Sequence, residues 1–271
     1  MSEWKPRRSP KYHMPEGPQN RSPAVMAQRT ESLDSLDDFP TPKWATRALI
    51  EEVFRGVRFN ELSCWEPTCG RGYMAATLAE YFRTVRSSDV HDYGYGEIFD
   101  FLSLSVGAAG PNDRPDWIMT NPPFRLGEEF VRRALELAKS GVAMLVRTGF
   151  VEGAGRYDRL FKNQPPSCVA QFVERVPILR GRVDPRASTA TGYCWLIWEA
   201  GAITSTRLAW IPPCRRRLEK EDDYNYPVLG TSASATKNVS SPPNLPVSAR
   251  LLSKTRDEPR PAREEGRAEK S

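Results

Sequence analysis

The stretch Asp116-Trp117-Ile118-Met119-Thr120-Asn121-Pro122-Pro123-Phe124 decides how the rest of the chain is read. Its apolar run reads as a buried strand, and the prolines end it, because proline cannot donate to a hydrogen-bonded ladder. The turn that follows is rich in acceptors and short of donors. Asn121 offers a side-chain carbonyl, Pro122 and Pro123 lack an N–H, and Phe124 supplies an aromatic plate. Such a set suits a planar group carrying an exocyclic amine, whose hydrogens two acceptors can hold while the ring stacks on Phe124. A proline-rich loop after a strand accounts for the tetrapeptide equally well, so the neighbouring sequence has to separate the two.

Upstream, 62–66 reads as a short strand ending at Glu66, followed by the turn Pro67-Thr68-Cys69-Gly70-Arg71-Gly72 and a helix over 73–82. Strand, glycine loop and helix form a unit that cradles nucleotides. A second strand over 85–88 closes on Asp89, about 20 residues past Gly70, the separation at which a carboxylate meets ribose hydroxyls. The Tyr- and Gly-rich loop 93–96 leads to Asp100-Phe101-Leu102, and a polar loop over 107–114 precedes the opening strand. Further upstream, Phe39-Pro40-Thr41-Pro42 predicts a helix start with Thr41 as N-cap and Pro42 in the first turn, running to about Arg55.

Downstream, the spacing of Phe130, Ala134, Leu135 and Ala138 predicts an amphipathic helix over 128–139, followed by a buried strand over 142–146. A helix over 156–162 and strands over 169–176, 193–198 and 207–211 complete the pattern, the last strands forming an antiparallel edge. Alternating strands and helices predict an α/β fold with a mainly parallel central sheet and helices on both faces.

The tails differ from this core. Residues 1–36 mix Lys5, Arg7, Arg8, Lys11 and Arg21 with prolines and read as a disordered basic arm. From Glu219 to the end nine basic residues are balanced by nine acidic ones, the pattern of a disordered tail rather than a DNA-binding one. One domain over 37–218 is therefore expected, in line with 24 prolines and a mean hydropathy of -0.56. The net charge of +5 fits a polyanionic partner only weakly. Five cysteines without C-x-x-C spacing indicate neither a disulfide framework nor a zinc site, and a reducing compartment follows. With no apolar run of membrane-spanning length, a soluble cytoplasmic protein is expected.

Ligands of open α/β sheets sit beyond the carboxyl ends of the strands, where Glu66, Asp89 and Asn121 all fall. A lone G-x-G is a weak signal, and each acid alone could cap a helix or make a turn. Together they describe a nucleoside site whose acids, with Asp100, repel phosphate and favour a cation. S-adenosylmethionine has that character: sulfonium, ammonium, ribose and adenine without phosphate.

Taken in order, Phe39-Pro40-Thr41-Pro42, Glu66 to Gly72, Asp89, Asp100-Phe101-Leu102 and Asn121-Pro122-Pro123-Phe124 resemble the motifs of class I S-adenosylmethionine-dependent methyltransferases. More narrowly they resemble the DNA N6-adenine type of bacteriophages and prophages. The resemblance covers roughly 38–218. It implies a Rossmann-like fold, with Phe39 and Thr41 lining the cofactor pocket, Glu66, Pro67, Gly70 and Gly72 at the methionine part, Asp89 at the ribose, and Asp100 and Phe101 at the adenine. Asn121, Pro122, Pro123 and Phe124 would hold the target, with Asn121 and the Pro122 carbonyl orienting the amine. The partner implied is DNA with its base flipped out or single-stranded.

The motif also resembles those of ribosomal RNA guanine-N2 and release-factor glutamine-N5 enzymes, and a non-catalytic nucleic-acid-binding protein on the same fold is a further reading. A sizeable target-recognition region is missing. Arg156, Arg159, Lys162, Arg180, Arg182, Arg186 and Arg215-Arg216-Arg217 are candidates for phosphate contacts, with a solvated surface as the default. With no nuclease motif, a solitary modification enzyme is expected.

Overall fold

The computed structural model describes residues 37–103, 114–201 and 205–224. The expected arm over 1–36, the loop over 107–113 and the tail from 225 lie outside the described residues.

Helix α1 (Lys43–Ala48) continues into a wider π-type turn over Leu49–Val53. Strand β1 (Ser63–Glu66), helix α2 (Tyr73–Leu78), β2 (Thr84–Asp89) and the two-residue β3 (Glu97–Ile98) follow. Then come β4 (Trp117–Thr120), α3 (Gly127–Leu137) and β5 (Gly141–Arg147). Short α4 (Ala154–Arg156), β6 (Cys168–Phe172), β7 (Tyr193–Glu199), β8 (Arg207–Ile211) and α5 (Arg215–Leu218) complete the order. All strands join one sheet in the order β3-β2-β1-β4-β5-β7-β6-β8.

Strand pattern explains strand position. Trp117 to Thr120 is buried throughout, and β5 and β7 are buried along almost their whole length, as suits central strands covered on both faces. Their side chains alternate between two cores. Cys64, Trp117, Met119, Leu145 and Trp195 pack with Trp44, Leu49, Met74 and Leu78 on one face. Trp65, Ile118, Met144, Val146 and Leu196 pack with Phe130, Val131 and Ala134 of α3 on the other. Pairing is parallel except at β7, which runs antiparallel to both β5 and β6.

The antiparallel element expected at this end of the sheet is therefore β7, set two strands in, with β8 parallel to β6 beyond it. β7 and β8 do not pair with each other, because the doubly buried Tyr-Cys-Trp-Leu-Ile-Trp run belongs inside the sheet. Leu208 and Trp210 of β8, by contrast, are exposed at its edge.

Other expectations need correction. Thr41 does not cap α1. Pro42 is the N-cap, its carbonyl accepting the Ala45 N–H at 2.9 Å, and Thr41 is buried in a cleft instead. β6 ends at Phe172 rather than 176, since Glu174 turns away to accept the Cys214 and Arg215 N–H groups at 2.7 and 2.8 Å, at the start of α5. The ordered domain also runs past 218. Residues Glu221–Tyr224 form a short 3-10 turn whose Asp223 is buried against Arg47. Among the described residues no helix is long and apolar enough to cross a membrane.

Candidate active site

The sheet reverses its order between β1 and β4, so the loops leaving their carboxyl ends diverge and open a cleft there. The cleft has a volume of about 600 Å³. Ten residues expected at a site from the sequence line it: Phe39, Thr41, Glu66, Pro67, Gly70, Asp89, Asp100, Phe101, Asn121 and Pro123. Pro122 and Phe124 instead wall a smaller cavity of about 240 Å³, and Pro123 borders both. Gly72 lines neither. Its backbone is left-handed at φ 84°, and a Cβ there would lie 2.5 Å from the Tyr95 ring, so it shapes the loop from behind.

Glu66 is only 2% exposed, and its Oε2 is buried without a hydrogen-bond partner. Burial, and then the charge of Asp89, push its carboxyl well above the usual carboxylate range, against the opposing pull of the Ala75 N–H in the first turn of α2. Asp89 closes β2. Its Oδ2 accepts the Gly70 N–H at 2.9 Å and its Oδ1 the His91 N–H at 3.1 Å, which ties the glycine loop to the second strand. Burial still outweighs these bonds and raises its pKa. Acids this poorly compensated in an open cleft are suited to a cationic ligand.

Asn121 donates from Nδ2 to the Phe39 carbonyl at 3.1 Å, while its Oδ1 is buried with no partner. The donor bond fixes the carboxamide with its acceptor free. The turn is held from beneath by Thr68, whose hydroxyl lies 2.5 Å from that of Thr120 and donates to the Asn121 carbonyl at 3.1 Å.

The segment before α1 crosses this region as a strap. Asp37 accepts the Phe124 N–H at 2.8 Å, Asp38 pairs with Arg71 at 3.3 Å, and the Phe39 ring sits 5.2 Å from that of Phe124. Sequence reading missed Asp37 and Asp38 as cleft residues, along with Thr68, Tyr93 and Phe99. Tyr93, pushed up to about 12 by burial and the charges of Asp38 and Asp89, remains a neutral hydroxyl at the cleft.

Phe101 is almost fully buried and stacks on Phe130 at 5.1 Å, so it serves the core as well as the cleft wall. Asp100 accepts the Leu102 N–H at 2.9 Å and is exposed. One face of Phe124 is covered by the Arg147 guanidinium, 4.0 Å from the ring centroid.

No family model and no curated protein matches the chain. Among solved structures, a type I restriction-modification system methyltransferase subunit from Streptococcus thermophilus superposes with a TM-score of 0.51 at 12% identity, over 69% of this chain and 50% of that one. A Vibrio vulnificus protein described as a modification subunit of a type I restriction enzyme gives 0.48 at 15% identity, over 64% and 47%. A dimethyladenosine transferase from Plasmodium falciparum gives 0.40 at 12%, over 62% and 66%. The chain thus spans about half the length of the first two. Sheet order, the single reversed strand and the first superposition together give this chain the Rossmann-like fold of class I methyltransferases.

Proposed function

We propose that the protein transfers a methyl group from S-adenosylmethionine to an exocyclic amine, with N6 of adenine in DNA as the acceptor. The observation that carries this reading is the orphaned Oδ1 of Asn121, set beside a cleft whose acids are under-compensated. When bound, S-adenosylmethionine supplies an electrophilic methyl on a sulfonium. Glu66 and Asp89 would meet its cationic and hydroxyl groups at the ends of β1 and β2, while Phe39, Thr41, Asp100 and Phe101 would wall the remainder. Gly70 serves through its N–H to Asp89, and Gly72 by letting the loop turn.

Asn121 Oδ1 would accept one amine hydrogen, which turns the nitrogen lone pair toward the cleft and stabilises positive charge as it develops on that nitrogen. The Pro122 carbonyl is the candidate for the second acceptor. No side chain has to form a covalent bond. Restriction to DNA, and to a phage or prophage role, rests on the motif resemblance, including the Phe39 to Pro42 segment that precedes the other motifs.

The test is to incubate the protein with methyl-labelled cofactor and, in separate reactions, DNA, ribosomal RNA and release factor, then to digest and identify the labelled unit. Label in N6-methyladenine is expected, and label in guanine or glutamine rejects the acceptor. Asn121→Ala should lower kcat about 10²- to 10³-fold while leaving cofactor affinity within about twofold. A variant that loses the cofactor but keeps turnover on saturation would move Asn121 to the other half of the site.

A further inference from the structure

The smaller cavity, behind Pro122 to Phe124, has the opposite electrostatic character from the cleft. Its lining holds two arginines, Arg147 and Arg156, with Phe124 and Phe150, and no acid. Arg147 follows from the end of β5 and stacks on Phe124 at 4.0 Å; Arg156 ends α4 and stacks on Phe150 at 4.1 Å.

Arg156 is further braced by donating from one terminal nitrogen to the carbonyls of Phe150 and Glu152 at 2.8 and 3.0 Å. The Nε of each arginine is buried with no hydrogen-bond partner. Glu128, on the neighbouring first turn of α3, feels the charge of Arg156 but bonds to neither arginine. Both its oxygens are taken by Arg159 at 2.9 Å, and Arg132 adds a third bond at 2.5 Å. Two guanidiniums held in place by rings, in a lining without an acid and with no ion pair to either among the described residues, form a preorganised anion site.

We propose that Arg147 and Arg156 take one phosphodiester of the acceptor strand, next to the amine held at Asn121, an inference that rests on the nucleic-acid reading of that site. Pro123 borders both cavities, so the two subsites are neighbours across one residue of the motif. A glutamine acceptor would bring no anion to this place. The pair therefore acts in choosing nucleic acid over protein.

The experiment follows binding of a fluorescein-labelled single-stranded oligodeoxynucleotide to the full chain by anisotropy over a range of salt concentrations. Arg147→Gln and Arg156→Gln should each weaken binding about tenfold and lower the salt slope by about 1. Titrated S-adenosylmethionine affinity should stay unchanged and report that each variant is folded. Arg147→Lys should restore the slope but only part of the affinity, since a point charge replaces a planar fork. Unchanged affinity and slope in both glutamine variants, with adenine still labelled by the wild type, would overturn the phosphate subsite and leave the methyltransferase reading standing. No strand binding by the wild type, with label in glutamine, would overturn both.

Discussion

Among the described residues, charge is buried at the α1–α5 junction and in the cleft, and the two places treat it in opposite ways. At the junction of α1 and α5, Arg47 is 2% exposed and every donor of its guanidinium is used. Two bonds go to Glu80, two to Asp223 and one to the Leu218 carbonyl, all between 2.7 and 3.0 Å. Burial alone would lower its pKa, but the bonds to Glu80 and Asp223 outweigh that and raise it. Glu80, paired also with Lys220, is held below its usual value despite burial. In the cleft, Glu66 is as well enclosed and Asn121 half-buried, yet each keeps a buried oxygen without a partner. A satisfied buried charge fixes the fold, whereas an unsatisfied one is stable only because the rest of the fold holds it, and it is left ready for a ligand.

The largest expected effect breaks the satisfied cluster. Arg47→Met leaves the buried Asp223 without a cation and Glu80 with Lys220 alone, which should cost about 3–5 kcal/mol in denaturant unfolding. It should also release the 215–224 segment to early proteolysis. A loss below about 1 kcal/mol would mean that the cluster is decorative and that the contrast with the cleft does not hold.

Glu66→Gln is the matching change at the unsatisfied site, and its sign should be reversed. A carboxyl whose folded pKa is raised stabilises the fold below its unfolded value and loses that contribution as pH rises toward the folded value. Asp89 is raised too, so both acids make the ligand-free protein less stable as pH climbs above about 4. The thiol of Cys69 and the phenol of Tyr95, both near Glu66 and both pushed upward, do not titrate in that window. Glu66→Gln should therefore keep or raise stability at neutral pH and flatten its decline toward alkaline pH, read from thermal midpoints across pH 4 to 9.

The same substitution should weaken S-adenosylmethionine about tenfold, close to 1.4 kcal/mol. The effect should be larger than for the sulfonium-free S-adenosylhomocysteine. Wild-type affinity for the cationic ligand should rise with pH as Glu66 ionises. A destabilised Glu66→Gln with normal ligand affinity would assign Glu66 to structure.

This contrast also explains what the sequence could and could not reveal. Glu66, Asp89 and Asn121 were legible because each ends a strand whose apolar run is visible, and strand ends converge in an open α/β sheet. The Arg47 cluster was not. It joins α1 to residues more than 170 positions later, and Asp223 sits in an acidic run indistinguishable from a solvated tail. Asp37 was missed for the same reason, since its partner Phe124 is 87 positions away.

β3 has only Glu97 and Ile98, both exposed, and offers no hydrophobic pattern to read. The position of β7 could have been found. A seven-residue run buried on nearly every position belongs inside a sheet, while the exposed Leu208 and Trp210 of β8 mark an edge; assuming that consecutive strands pair hid that signal.

The smallest expected effect separates the cleft's ligand-facing residues from those that only support them. Gly72 resembled a cofactor glycine in sequence, but it stands behind the loop against Tyr95. Gly72→Ala would force an L side chain into φ 84° and push the Tyr95 ring aside, at a cost of about 1–2 kcal/mol of stability. The atoms that such a Cβ meets first belong to the Tyr95 ring and not to Gly70 or Asp89, so the displacement falls on that ring. Cofactor affinity should consequently fall less than threefold in Gly72→Ala, against about tenfold in Glu66→Gln, when both are titrated under the same conditions. If Gly72→Ala instead loses the cofactor while unfolding at the wild-type midpoint, the loop's approach to the ligand runs through Gly72, and the division between satisfied framework and unsatisfied site has been drawn one residue too early.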